Sequence, residues 1–186
     1  MGIALITSKM IAVFVGPGGM AYIGNFRNFM TSLEGISTLA FSSGVVKYVG
    51  ENEDKEKELT KIITTVLVTF LVFSTVLGFL IFVFSDFLCA KFFGNNLQYE
   101  IVFKVVAIVL PFSVVSVLFV SIINGLGSYS KLIYATIISN IVALVLTVLL
   151  IYEFKLVGAL LSIALNPTIL FTINFFYVPK ELQLLS

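Results

Sequence analysis

The chain is 186 residues long, 59% hydrophobic and only 11% charged, with a formal net charge of +1 and a mean hydropathy of +1.12. Soluble domains carry roughly 25% charged residues, so the composition excludes an ordinary soluble core and points to an all-α, polytopic transmembrane helical bundle. The near-neutral balance leaves no basic face for nucleic acid, while one cysteine, Cys89, and no histidine exclude an internal disulfide, the common zinc sites and histidine-based catalysis. No cofactor is expected, nor an enzyme, since no nucleophile–base pair stands out.

Residues 2–15 are apolar apart from Thr7, Ser8 and Lys9. Some 14 residues reach only about 21 Å at about 1.5 Å per residue, against a hydrocarbon core of about 30 Å, so this first helix is partial. A secretory signal would need a positive region ahead of the apolar run, and Lys9 sits inside it. Ile6 stands where a myristoylation signal needs Ser or Thr. Gly16-Pro17-Gly18-Gly19 reads as a tight turn. A second helix is expected over 20–49, and the charge run over 51–58 as a solvated loop. A span over 59–84 follows, then a connector over 86–98 containing Gly94-Asn95-Asn96. The next span, 99–124, holds Pro111, which is expected to kink it. Gly125-Leu126-Gly127-Ser128 is a short turn without the glycine spacing or lysine of a phosphate-binding loop. Two further spans, 131–152 and 157–178, are joined by Glu153-Phe154-Lys155-Leu156, and Asn166-Pro167 interrupts the second. The expectation is one membrane lobe over 1–178, with one partial and five full helices, and a cytoplasmic tail over 179–186.

The seven tyrosines fall near predicted span ends, as an interfacial aromatic belt requires. Lys47, Lys55, Lys57, Lys61, Lys131 and Lys180 gather on one side and Lys91 and Lys155 on the other. The positive-inside rule therefore puts the 51–58 loop in the cytoplasm and the 16–19 turn outside.

The second helix is where chemistry is expected. It carries Asn25, Arg27, Asn28, Thr31, Ser32, Glu34, Ser37, Thr38, Ser42 and Ser43, far more polarity than the other spans. An Arg near a span centre costs about 2.5–3.5 kcal/mol even on the lenient insertion scale, so this helix must face protein or water. Arg27, Thr31, Glu34 and Thr38 fall at i, i+4, i+7 and i+11 on one face. Lys9 and Arg27 lie at similar depth on either side of the glycine turn, with Lys104 entering from the same side. Such cations without matched acids suit an anion, and Arg suits phosphate because its planar fork binds two oxygens. Lys9, Asn25, Arg27, Asn28, Glu34 and Lys47 form the candidate substrate-binding set. Structural roles compete with this: Arg27 pairing with Glu34, Lys9 bonding the second helix, Lys104 snorkelling to the interface. Asn124, Asn140 and Asn174 read as helix-bridging side chains, and Cys89 as inert.

Lys9-Met10-Ile11-Ala12, Gly16-Pro17-Gly18-Gly19, Asn25-Phe26-Arg27 and Gly44-Val45-Val46-Lys47-Tyr48-Val49 resemble the opening of the O-antigen and enterobacterial-common-antigen flippases of the multidrug/oligosaccharidyl-lipid/polysaccharide exporter superfamily. Weaker similarity continues through Phe93-Gly94-Asn95, Lys104 and Gly158-Ala159-Leu160-Leu161 to Pro167. The resemblance implies a carrier of undecaprenyl-pyrophosphate-linked oligosaccharide in the bacterial inner membrane. It also implies two six-helix lobes around a cavity lined by cations, with Lys9, Arg27 and Lys47 at basic family positions; Glu34 matches no family acid. The chain resembles the N-terminal lobe alone, so the expectation is a fragment of a longer carrier or a disrupted gene, or else a second copy or polypeptide supplying the other half. Two alternatives stand beside this: a drug/cation antiporter of the same superfamily, and a non-transporting membrane scaffold of polysaccharide export.

Overall fold

A computed structural model describes residues 2–39, 41–52, 55–94, 96–127 and 129–183; the side chains of residues 2–15, 17, 56, 131 and 176–183 lie outside the description. Six α-helices and a short 3-10 turn are present among these residues: α1 (Gly2–Ser37), α2 (Ser42–Glu51), α3 (Glu56–Val83), α4 (Ser85–Phe93), the turn Leu97–Tyr99, α5 (Glu100–Gly125) and α6 (Tyr129–Gln183). The protein is an all-α polytopic helical bundle. Among the described residues, three stretches are long and apolar enough to cross a membrane: Lys57–Val83, Leu97–Gly125 and Leu132–Phe175.

Two of the long helices are broken. In α1 the break is Gly16, at φ 75° and ψ 174°, a region open to glycine alone. The expected four-residue turn contracts to this residue: Pro17 opens the next helical arm, where its missing N–H goes unused, and Gly18 and Gly19 are helical. In α6 the break is Lys155, at φ 50° and ψ −121°. The chain reverses there with almost no loop, since a Cβ on Gly158 would run into the carbonyl of Leu150. Each arm of α6 has roughly 26 residues or more, enough for roughly 40 Å and hence a full crossing.

The helix expected over 20–49 is two helices. Its first part ends at Ser37, Leu39 takes φ 51°, and α2 restarts at Ser42. At the break Ser37 Oγ donates to the Leu33 carbonyl and Thr38 Oγ1 to the Glu34 carbonyl, and the Phe41 N–H turns onto the Thr38 carbonyl. The connector expected over 86–98 is also partly helical. Asp86 in the first turn of α4 and Lys91 in the last complement the helix dipole, and Gly94 at φ 67° ends it.

α5 is the hub, touching every other helix. Against it lies the 17–37 arm of α1, which buries Ile23, Phe26, Met30, Leu33 and Ser37, one stripe at helical spacing. An aromatic cluster joins α1, α4 and α5: Phe26 and Phe29 meet Phe103 at 6.2 and 5.7 Å between ring centroids, and Phe93 stacks on Tyr99 at 4.7 Å. α3 crosses α5 through Gly78, and α2 crosses the end of α5 through Gly125. The outer faces of α3 and α6 stay apolar, with Val68, Val72, Val76, Phe79 and Val83 exposed along α3. Of the tyrosines, Tyr22, Tyr48, Tyr129, Tyr134 and Tyr152 are exposed near helix ends or breaks; the side chain of Tyr177 is outside the description.

Candidate functional site: a polar cavity

The break between α1 and α2 opens a cavity of about 450 Å³ against α5 and α6. α1 contributes Glu34, one turn before the break, and α2 contributes Ser42, Ser43 and Val46, just after it. From α5 come Ser113, Ser116, Val117, Val120, Ser121 and Asn124; from α6 come Thr136, Ser139 and Asn140 on one arm and Asn166, Pro167 and Leu170 on the other. Eleven of these sixteen side chains carry hydroxyl, amide or carboxylate groups, in a bundle whose main core cluster is aliphatic and aromatic.

Each helix aims its polar groups by register. Ser113, Ser116 and Asn124 recur at i, i+3 and i+11 on α5, and Thr136, Ser139 and Asn140 at i, i+3 and i+4 on α6. Several hydroxyls are anchored. Ser113 Oγ donates to the Leu110 carbonyl at 2.7 Å and Ser121 Oγ to the Val117 carbonyl at 2.8 Å, leaving their oxygens able to accept. Ser116 differs: its Oγ is buried and makes no hydrogen bond, a state that buried hydroxyls rarely keep without a ligand or water. Glu34 is half-buried and the single ionisable group among the lining residues. The ion pairs among the described residues are Lys47–Glu51, Lys55–Glu58 and Lys104–Glu100, so Glu34 enters none of them.

Among the described side chains of the candidate set, Glu34 alone reaches the cavity. Asn25, Arg27, Asn28 and Thr31 are exposed and do not line the cavity, although Arg27 lies two turns before Glu34 on the same side of α1. Lys47 is exposed on α2, 3.8 Å from Glu51. The side chain of Lys9 falls outside the described residues. Arg27 and Glu34 make no salt bridge, and Lys104, expected to enter from the same side as Lys9 and Arg27, is held by Glu100 one turn away. Asn124 and Asn140, expected to bridge helices, line the cavity, whereas Asn174 is buried away from it. The serines of α5 and α6 were missed as site residues. Their signal was present as small polar residues at helical spacing inside otherwise apolar spans. No group of three or more potential metal ligands occurs among the described residues.

Comparison with known proteins adds two findings. The chain is 29% identical, over 91% of its length, to proteins named lipid III flippase from Escherichia coli (strain K12) and from Shigella flexneri. It spans 40% of the length of these curated relatives. No solved structure matches. Residues 27–184, which hold every cavity-lining side chain, match a family described as polysaccharide biosynthesis protein, and the chain belongs to that family.

Proposed function

We propose that the chain is the N-terminal lobe, residues 1–178 with a short cytoplasmic tail, of a carrier that moves an undecaprenyl-pyrophosphate-linked oligosaccharide across the bacterial inner membrane. The observation carrying this reading is the polar cavity within an apolar helical bundle. A hydrophilic head group cannot cross about 30 Å of hydrocarbon unaided, and a hydroxyl- and amide-lined hollow gives it hydrogen bonds on the way. Family membership and the flippase relatives support the same reading. Alternating access by rocking against a second lobe follows the general logic of carriers with paired repeats. The mechanism is transport rather than catalysis. The exposed Asn25, Arg27 and Asn28, with Lys9, hold the pyrophosphate through charge-assisted hydrogen bonds, Lys47 meets it at the cytoplasmic end, and Glu34 and the cavity face the glycan.

The test is expression of the complete reading frame in a bacterium lacking its own polysaccharide-lipid flippase. Arg27→Ala is expected to lower surface polysaccharide at unchanged protein abundance. Wild-type surface polysaccharide in that variant removes Arg27 from the site. A scaffold without transport predicts that outcome, together with loss of export on changes to helix packing.

One observation favours a second reading, a drug/cation antiporter: the single ionisable group among the described lining residues is a carboxylate. Efflux of a cationic dye that is abolished by Glu34→Gln, with lipid translocation untouched, selects it.

A further inference from the structure

We propose that the cavity around Glu34 is a saccharide subsite selective by charge, taking uncharged sugars through their hydroxyls and turning away sugars that carry a carboxylate. The proposal rests on the carrier reading for the origin of the sugar, and on the cavity alone for its selectivity.

Size is the first argument. About 450 Å³ equals the liquid volume of roughly fifteen waters and lies within the range of small-molecule sites. A bare monovalent ion would need a far smaller cage. The lining is the second argument. A sugar presents hydroxyls that each donate and accept, and it needs both kinds of partner close together. Asn124, Asn140 and Asn166 supply both through their amides. Ser113 and Ser121 spend their protons on backbone carbonyls and so present acceptors. Ser116, buried at 2% exposure with an unpartnered Oγ on the cavity wall, is a hydrogen-bonding position without an occupant from the protein. The apolar wall residues are Val46, Val117, Val120, Pro167 and Leu170, with no aromatic ring to stack a sugar against. Binding through hydrogen bonds alone is weak, as a carrier that must also release requires.

Charge is the third argument. No basic side chain occurs among the described lining residues, and Glu34 has no salt-bridge partner. A second carboxylate entering the cavity meets Glu34 with no counter-ion among the described lining residues, and like-charge juxtaposition is strongly unfavourable. A neutral sugar instead donates two hydroxyls to the carboxylate oxygens. The same field disfavours a pyrophosphate inside the cavity, and Arg27, exposed two turns before Glu34, is not among the lining residues.

The experiment uses the chain in lipid nanodiscs with a reporter thiol at the cavity, Asn140→Cys, labelled by a small neutral methanethiosulfonate reagent. Ser43→Cys serves as a second reporter should the first fail to fold. Cys89 is buried and gives the background rate. The probes are N,N′-diacetylchitobiose and a same-sized disaccharide of glucuronic acid and N-acetylglucosamine. The expected result is saturable slowing of labelling by the neutral probe, with the acidic probe roughly tenfold weaker, a difference of about 1.4 kcal/mol. Glu34→Gln should make the two probes equal. Equal slowing by both probes with Glu34 intact overturns the charge selectivity and leaves the carrier reading untouched. Slowing by neither probe overturns the saccharide subsite, with transport still decided by the surface-polysaccharide assay.

Discussion

Pro111 shows how a residue that should break a helix is accommodated. It removes the N–H that would bond the Ala107 carbonyl one turn back, yet α5 runs continuously from Glu100 to Gly125. The neighbour facing that carbonyl is Gly78 of α3: a Cβ built there would lie 2.6 Å from the Ala107 oxygen. The glycine lets the two backbones approach where a carbonyl has lost its partner, a close packing typical of membrane helices. Gly78→Ala is therefore expected to destabilise the bundle by about 1–3 kcal/mol, seen as a lower midpoint in thermal unfolding in detergent; an unchanged midpoint would show that the helices can separate there without loss. Lys155 gives the opposite sign. At φ 50° and ψ −121° it holds a conformation that costs a non-glycine residue on the order of 1–3 kcal/mol, so Lys155→Gly is expected to raise the same midpoint. At Cys89 the expectation of an inert thiol has a physical basis. Burial first, then the carboxylates of Glu100 and Asp86, push the thiol above its usual range, and its Sγ donates to the Asn96 carbonyl at 3.3 Å. Maleimide should label native protein slowly and denatured protein fast; equal rates would contradict the buried placement.

At the scale of elements, the break between α1 and α2 makes the site. Without it Glu34 and Ser42 would lie more than two turns apart on one straight helix. With it they face the same hollow. The long apolar spans were legible because runs such as Leu59–Val83 have no other soluble fate, and the reversal near Lys155 because Glu153 and Lys155 punctuate it. The α1–α2 break was not, because Ser37 and Thr38 read equally well as polar residues inside a span, and the positive φ of Leu39 is not one that leucine announces. The stripe from Arg27 to Thr38 was legible as a periodicity but not as a direction. Along that one side, Arg27 and Thr31 are left uncovered, whereas Glu34 lines the cavity and Thr38 is buried. A polar pattern says that a helix has two faces, and the packing of Phe26, Met30 and Leu33 decides which one is inside. α2 is held in place by Gly125, where a Cβ would lie 2.7 Å from Val49 and 2.9 Å from the Val46 carbonyl. Gly125→Leu is expected to push α2 off α5 and change the labelling rate of a thiol at position 43. An unchanged rate would mean that α2 does not depend on this contact.

For the whole molecule, the contrast is between an outer surface of Val, Phe and Leu on α3 and α6 and an inner hollow of Ser, Thr and Asn. That reverses the arrangement of a soluble protein and suits a bundle with lipid outside and a hydrophilic cargo inside. The exposed Arg27 face completes the picture: it belongs against water or another protein surface, since lipid would not hold it. The central claim is that this hollow serves the passage of a lipid-linked oligosaccharide. The most direct measurement reconstitutes the complete carrier into liposomes with a fluorescent polyprenyl-pyrophosphate oligosaccharide and adds an impermeant quencher. The account predicts that the protein makes inner-leaflet lipid accessible to the quencher, and that Ser116→Leu, which fills the cavity wall, slows this at equal protein incorporation. Quenching confined to the outer leaflet with the wild-type carrier, or transport unaffected by the filled cavity, would contradict it.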